Sequence, residues 1–191
     1  LPLLNQKQTL DQTGVYLQDQ ITVGKLVLLA GVRHDWADSK TQSRSTGLTT
    51  KVDDTKFTGR AGIVYRFDNG LAPYVSYSTS FLPTSGADWE GHPFRPTTGR
   101  QWEAGLKYQP RGIRGFVTVS LFDLVQNNVQ TPDPDTSHGP FAQVQSGRAR
   151  ARGVELEGHA DLTPSLSVIA AYSHLDNKVT RSNGPDLGKH P

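Results

Sequence analysis

The chain contains no cysteine, which removes disulfide frameworks and thiolate metal sites; the absence by itself fixes no compartment. No apolar run approaches about 18 residues, so a transmembrane helix is excluded, in keeping with a mean hydropathy of −0.51. Charge of one sign is also missing. Twenty Lys and Arg stand against 18 Asp and Glu, a net of +2, and without a long basic tract nothing points to nucleic acid. There is no Gly-x-Ser-x-Gly elbow, phosphate loop or His-Glu-x-x-His pair, so no enzyme motif is found. His34 and Asp35 are neighbours in a strand-like segment and face opposite sides, which rules out a dyad. The histidines at 34, 92, 138, 159, 174 and 190 are scattered without ligand spacing; they are read as ordinary polar residues, with no metal assigned.

What the chain does have is alternation. In residues 57–68, Phe57, Gly59, Ala61, Ile63, Tyr65 and Phe67 make one face, and Thr58, Arg60, Gly62, Val64, Arg66 and Asp68 the other. Successive strand residues point to opposite sides, so this is a two-faced strand. The same reading predicts strands over 12–22, 26–37, 57–68, 72–81, 100–109, 114–125, 149–161 and 166–178. Short turns join them at 23–25, at Asp68-Asn69-Gly70, at 110–112 and at 162–165; Asn-Gly suits the positive φ of a tight hairpin. Long polar or Pro/Gly-rich loops are predicted over 38–56, 82–99, 126–148 and 179–191.

Short and long connections therefore alternate, with all short turns on one side. A transmembrane strand needs only about 9–11 residues, and its half-polar pattern leaves a weak hydropathy signal. An up-and-down outer-membrane barrel has short periplasmic turns and long extracellular loops. A soluble β-sandwich binding module is the alternative, but it has no reason to sort loop lengths by side. The aromatics agree with the barrel. Trp36, Phe57 and Trp102 fall near the long-loop end of the apolar faces, and Tyr65, Phe67 and Tyr108 near the short-turn end, as interfacial girdles do. The opposite faces carry Arg33, Arg60, Arg66, Glu103, Lys107, Glu155, Glu157 and His159, charges suited to a wet interior. Glu155 and Glu157 share a face and are read as lining rather than as a catalytic pair.

Two places fit poorly. Asp19 shares the face of Val15, Leu17 and Ile21, which is cheap only near an interface. Residues 114–125 have no clean face; a bulge or an interior aromatic would each account for it. Leu1 follows no initiator methionine or signal-like stretch, and His190-Pro191 ends what reads as a loop, so both ends are expected to be cuts through a longer protein.

Five blocks carry a resemblance: residues 13–20 (TGVYLQDQ), 29–36 (LAGVRHDW), 57–86 (FTGRAGIVYRFDNGLAPYVSYSTSFLPTSG), 96–110 (PTTGRQWEAGLKYQP) and 151–158 (ARGVELEG). In this order they resemble the barrel domain of TonB-dependent ferric-siderophore receptors of the ferrichrome/ferrioxamine type. The resemblance implies an outer-membrane importer of a ferric chelate, of hydroxamate type, in a Gram-negative cell. It implies a 22-stranded barrel filled by an N-terminal plug, of which residues 1–191 are about eight strands, without the plug and the final strands. The implied partners are the siderophore as cargo, the TonB complex through the N-terminal part, and outer-membrane lipid and lipopolysaccharide; no resident cofactor is implied. The eight interior charges would then meet the plug or keep the lumen wet. A passive outer-membrane channel without a plug is the alternative.

Ligand contact is expected from the long loops, since loops on a rigid scaffold commonly carry binding and rings supply contact area at small entropic cost. The candidates are Trp89, His92, Phe94 and Phe141, with Phe81 at a strand end. The competing reading is that these rings pack the loops on one another.

Overall fold

The computed structural model describes residues 5–44, 47–112, 114–139, 141–185 and 187–189. The loop expectation for His190 and Pro191 lies outside them. The strands are β1 (Gln6–Val23), β2 (Leu26–Ser43), β3 (Thr49–Tyr65), β4 (Leu71–Leu82), β5 (Thr97–Tyr108), β6 (Arg114–Pro132), β7 (Gln143–Thr163) and β8 (Leu166–Arg181). They form one antiparallel sheet in the order β1-β2-β3-β4-β5-β6-β7-β8, an up-and-down meander. Among the described residues the only helical element is a 3-10 turn, Thr136–His138.

All eight expected strands are present, but the stretches 38–56 and 126–148, expected as loops, are largely strand. β2 runs on to Ser43 and β3 starts at Thr49, with Thr41 opposite Thr50. β6 and β7 likewise extend to Pro132 and from Gln143. The reason is physical. Where both faces of a hairpin meet water, the ladder still closes but no apolar face is needed, so the alternation that reveals a strand disappears. The connections at one edge are 24–25, 66–70, 109–113 and 164–165; those at the other are 44–48, 83–96 and 133–142. The asymmetry between edges thus lies in projecting arms as much as in loops.

The turn at 66–70 shows how tightly the short side is built. Gly70 has φ +90°, and a Cβ there would fall 2.0 Å from the Gln109 carbonyl oxygen. The Gln109 amide donates to Gly70 O (2.9 Å), so this hairpin clips to the next, and only glycine permits it.

The sheet has no interior. Among the described residues the buried apolar side chains are Ala37, Phe94 and Val179, and they form no common layer. Val15, Leu17 and Ile21 in β1, Leu28 and Val32 in β2, Val117, Val119 and Leu121 in β6 all lie open, Leu17 at 72% and Leu121 at 55%. A contiguous apolar face of this size on a soluble monomer is untenable, and two such sheets are not here to make a sandwich. Rings pair at both ends of this face: Trp36 with His34 (centroids 4.3 Å) and Tyr77 with Trp102 (4.8 Å) at one, Tyr65 edge-on to Phe67 (4.8 Å) at the other.

Residues 114–125 prove to hold an interior aromatic. Their register with β7 is unbroken, and the shifts come later, between Asn127 and Thr131. Phe122 stands on the polar face opposite Gly153, where a Cβ would sit 2.7 Å from its ring; the ring covers the glycine of the next strand. Asp123, on the outer face, is held by Arg150 (2.5 Å) and Arg152 (3.3 Å). Asp19 is exposed and accepts the Gln20 amide (2.8 Å).

Two further features shape the wall. The β3–β4 ladder spans only Arg60↔Ser78 to Val64↔Tyr74. Just beyond it, Gly59 N–H donates to Thr79 Oγ1 (2.9 Å), a side chain standing in for the next ladder bond. Ladder partners also climb across the sheet: the row Asp19, Ala30, Ala61, Tyr77, Trp102, Asp123, Arg152, Asp176 starts near the short-turn end of β1 and finishes far from that end in β7 and β8. Such stagger is the shear required of a closing barrel.

Candidate functional site

The register puts Arg33, Arg60, Glu103, Lys107, Glu155, Glu157 and His159 on one face of the sheet, and Arg66 continues that face beyond β3. They divide by their partners. Arg33 is spent locally: its Nε donates to Asp35 Oδ1 (2.9 Å) and Oδ2 (2.8 Å) and its Nη2 to Oδ1 (2.7 Å), with Gln12 Nε2 adding a bond to Oδ1 (3.0 Å). This bidentate pairing explains how Asp35 can be only 1% exposed. Arg60 is held by Gln18, and His159 lies 3.3 Å from Asp161.

The remaining five line a groove of about 1090 Å³ at the short-turn end. Tyr74 Oη donates to Glu103 Oε1 (2.6 Å), Gln101 Nε2 donates to Oε2 (3.1 Å), and Lys107 Nζ lies 5.2 Å over the Tyr74 ring. Glu155 and Glu157, two residues apart on the same face, have no ion-pair partner among the described residues. The groove is lined by Asp68, Glu103, Glu155 and Glu157 and by Lys25, Arg66, Lys107 and Arg111, a charge-balanced surface in which Lys25 pairs with Asp68 while the three glutamates have no ion pair among the described residues.

At the other end, residues 83–96 form a strap over the polar face. One root is fixed to β6 and β7: Arg95 N–H donates to Gln145 Oε1 (2.5 Å), Gln145 Nε2 to Arg95 O (2.5 Å), and Asn128 Nδ2 to Pro96 O (3.0 Å). The other reaches β1 and β2, where Ser85 shares a hydrogen bond with Ser39 (3.0 Å) and accepts one from Gln8. The tip closes as a small hairpin, Ala87 bridging Pro93 and Asp88 N–H donating to His92 O (2.9 Å).

The candidate ligand residues separate here. Phe94 is 6% exposed, its amide bonded to Gly86 O (3.1 Å) and its ring against Gly86; it is the strap's own packing residue. Phe81 has the parity of Val75 and Tyr77, the outer apolar face. Trp89 stacks on His138 of the 133–142 loop (3.8 Å, 16°). His92 Nδ1 lies 3.3 Å from Asp88 Oδ2 and 3.3 Å from Glu90 Oε2, so Asp88, Glu90 and His92 come together within 4.8 Å, a grouping that spacing alone did not disclose. Phe141 is 76% exposed. Sequence reading missed Ser85, Gln145 and His138, whose roles depend on which loops touch.

On the outer face, past Leu121, Val154 and Tyr172, stand Arg150, Arg152 and Lys178 with Asp123 and Asp176. Arg100 joins them from β5: it pairs with Val125, Val125 with Arg150, and Arg150 with Lys178.

A meandering sheet with an open apolar face, aromatic ends, a charged opposite face and staggered rows is a wall of a membrane-spanning β-barrel. The chain belongs to the TonB dependent receptor-like, beta-barrel family, whose model matches residues 2–191. It is 42% identical over 169 residues to the ferrichrome outer membrane transporter/phage receptor of Escherichia coli K12, covering 88% of this chain and 22% of that protein. It is 36% identical over 184 residues to the ferrioxamine B receptor of Salmonella typhimurium, covering 96% of this chain and 26% of that one. The chain thus spans about a quarter of the length of these relatives. Among solved structures, the siderophore receptor PiuA from Acinetobacter baumannii superposes with a TM-score of 0.80 at 23% identity (92% of this chain, 26% of that one), and the alcaligin receptor FauA from Bordetella pertussis with 0.77 at 24% (95% and 33%). These likenesses place the chain in a Gram-negative outer-membrane β-barrel.

Proposed function

We propose that the chain is part of the barrel domain of a receptor that imports a ferric siderophore of hydroxamate type, driven through TonB, with the plug and the final strands supplied by the rest of the protein. The observation that carries this reading is the match of most of the chain to receptors for ferrichrome and for ferrioxamine B. The iron arrives as cargo inside its chelate, so no resident cofactor enters the reading. Ligand contact falls to the exposed rings of the strap and its neighbour, Trp89 and Phe141, with His92 beside them. The test is uptake of ferrichrome and ferrioxamine by the full-length receptor in cells with and without TonB. Uptake that requires TonB, and an affinity about tenfold weaker in Trp89→Ala and Phe141→Ala, is the expected result. Uptake unchanged without TonB would instead establish a passive channel, and unchanged affinity in both variants would remove the rings from the ligand site.

The charged groove is assigned to the plug, whose basic groups would meet Glu103, Glu155 and Glu157, the carboxylates of its lining without an ion pair among the described residues. The outer cations Arg100, Arg150, Arg152 and Lys178 are assigned to phosphate groups of lipopolysaccharide, because they lie just past the apolar face on the long-loop side and exceed Asp123 and Asp176 in charge. Lipopolysaccharide co-purifying with the receptor is expected to fall severalfold in Arg100→Ala/Arg150→Ala/Lys178→Ala; unchanged co-purification sinks the assignment.

A further inference from the structure

The strap is gathered onto an irregularity in β6. The β6–β7 register slips between Asn127 and Val129 and again between Val129 and Thr131. Asn128, at the first slip, has φ +58°, the one positive value at a non-glycine among the described residues. An extra residue in one strand bends it and re-aims its polar groups, and Asn enters the left-handed region more readily than most side chains. Gly147 faces the slip. It pairs with Val129, and a Cβ on it would fall 2.6 Å from Val129 O and 2.7 Å from Thr131 Cγ2. Turned off the ladder in this way, Asn128 uses both its carbonyl and its side chain. Its O accepts from Thr97 Oγ1 (3.2 Å) and Gln145 Nε2 (3.1 Å), and its Nδ2 donates to Pro96 O (3.0 Å). Gln145 answers from β7. Its Oε1 accepts the Arg95 amide and its Nε2 donates to Arg95 O, each at 2.5 Å, so one side chain meets Arg95 as a neighbouring strand would. Both Nε2 hydrogens are then used, one on Arg95 O and one on Asn128 O. Thr97 extends the hold to the other leg of the strap: its amide donates to Thr84 Oγ1 (3.1 Å), and the two hydroxyls share a bond (3.2 Å).

We propose that Asn128 and Gln145 are positioning residues for the cargo contact: their knot ties the strap to the β6–β7 arm and so sets where Trp89 on the one and Phe141 on the other stand. This rests on the reading above that these rings meet the ferric chelate. The remaining attachments are slighter. At the far end Ser85 bonds to Ser39 and Gln8, and the tip adds one ring pair, Trp89 on His138. The knot alone engages both legs of the strap and both strands of the arm. A contact surface assembled from two separate segments binds well only if their spacing is set before the cargo arrives, because otherwise the ordering of both segments opposes binding. The bulge supplies that spacing through backbone shape, and Gln145 transmits it to the strap.

Spin labels on cysteines introduced as the only two, at Glu90 and Thr136, read the distance from strap to loop in the full-length receptor without cargo. One narrow distribution is expected for the parent. Asn128→Val, whose branched side chain resists positive φ, and Gln145→Leu, which keeps bulk without polar groups, are each expected to widen it about twofold. Asn128→Gly is expected to keep it nearly unchanged, since glycine adopts the same φ and retains the carbonyl that Gln145 binds. Affinity is titrated with ferrichrome and with ferrioxamine B. It is expected to be about tenfold weaker in Asn128→Val and Gln145→Leu and within about twofold of the parent in Asn128→Gly, with barrel melting the same in all. An unchanged distribution in both Asn128→Val and Gln145→Leu overturns the joint, as does equal widening in Asn128→Gly and Asn128→Val. Widening with unchanged affinity, where Trp89→Ala does weaken binding, overturns the positioning role and leaves the ligand reading standing. Unchanged affinity in Trp89→Ala and Phe141→Ala removes the rings from the ligand site, and the positioning role with them.

Discussion

Replacing Val119 by Arg in the full-length receptor is expected to lower its unfolding free energy by about 2–4 kcal/mol, read from denaturant titration in lipid vesicles. Val119 stands on the outer face with Leu106 on one side and Leu156 on the other, and Val117 and Leu121 continue that face along β6. A guanidinium there has no partner, and it lies too far from Asp123 and the interface to snorkel at little cost. The adjacent position supplies the control. Thr118 points to the other side, between Lys107 and Glu157, where Thr118→Arg meets a free carboxylate and water; its expected cost is below about 1 kcal/mol. Equal losses at the two positions would mean that the apolar face does not meet lipid.

The second large effect is expected from Glu103→Leu combined with Glu155→Leu. Glu103 is aimed by Tyr74 and Gln101, and Glu155 shares its groove. Under the proposed assignment of the groove to the plug, Glu103, aimed in this way, and Glu155, neither with an ion pair among the described residues, would each take a basic partner from it. Removing one side of a desolvated charge pair typically costs about 2–5 kcal/mol, mostly because the other charge is left buried and unpaired. The double variant is therefore expected to lose uptake by about tenfold or more and to make the plug accessible to protease, while the barrel itself survives heating as before. Retained uptake together with a protected plug would sink the pairing.

The sequence carried the architecture wherever water and lipid met across a strand. Residues 57–68 and 100–109 alternate because each has one face in each solvent, and their order, turns and faces were legible. The arms at 38–43 and 126–132 were not, since a hairpin with water on both faces is under no pressure to alternate. Phe122 was ambiguous for a related reason: only the neighbouring strand, with Gly153 opposite, explains a ring on the polar face. The site divided along the same line. That Glu103, Lys107, Glu155 and Glu157 share a face follows from parity; that Arg33 is already occupied by Asp35 does not. The loop rings were recognisable as a set, yet Phe94 and Trp89 have opposite surroundings. Nothing local to the tip of the strap announces that His138, some 50 residues on, is its neighbour.

The climbing rows of ladder partners have a consequence for anything seated inside the wall. Glu103 and Glu155 belong to different rows: Glu103 leads through Phe122 to Gly153, whereas Glu155 pairs with Ser120. With a stagger of roughly one residue per strand, two strands of offset bring these two glutamates to the same depth. Depth contours therefore cut diagonally across the hydrogen-bonded rows, and the interior is threaded like a nut. A segment leaving such an interior would exchange equivalent contacts most smoothly by turning as it advances, so that rotation and axial travel are geometrically coupled.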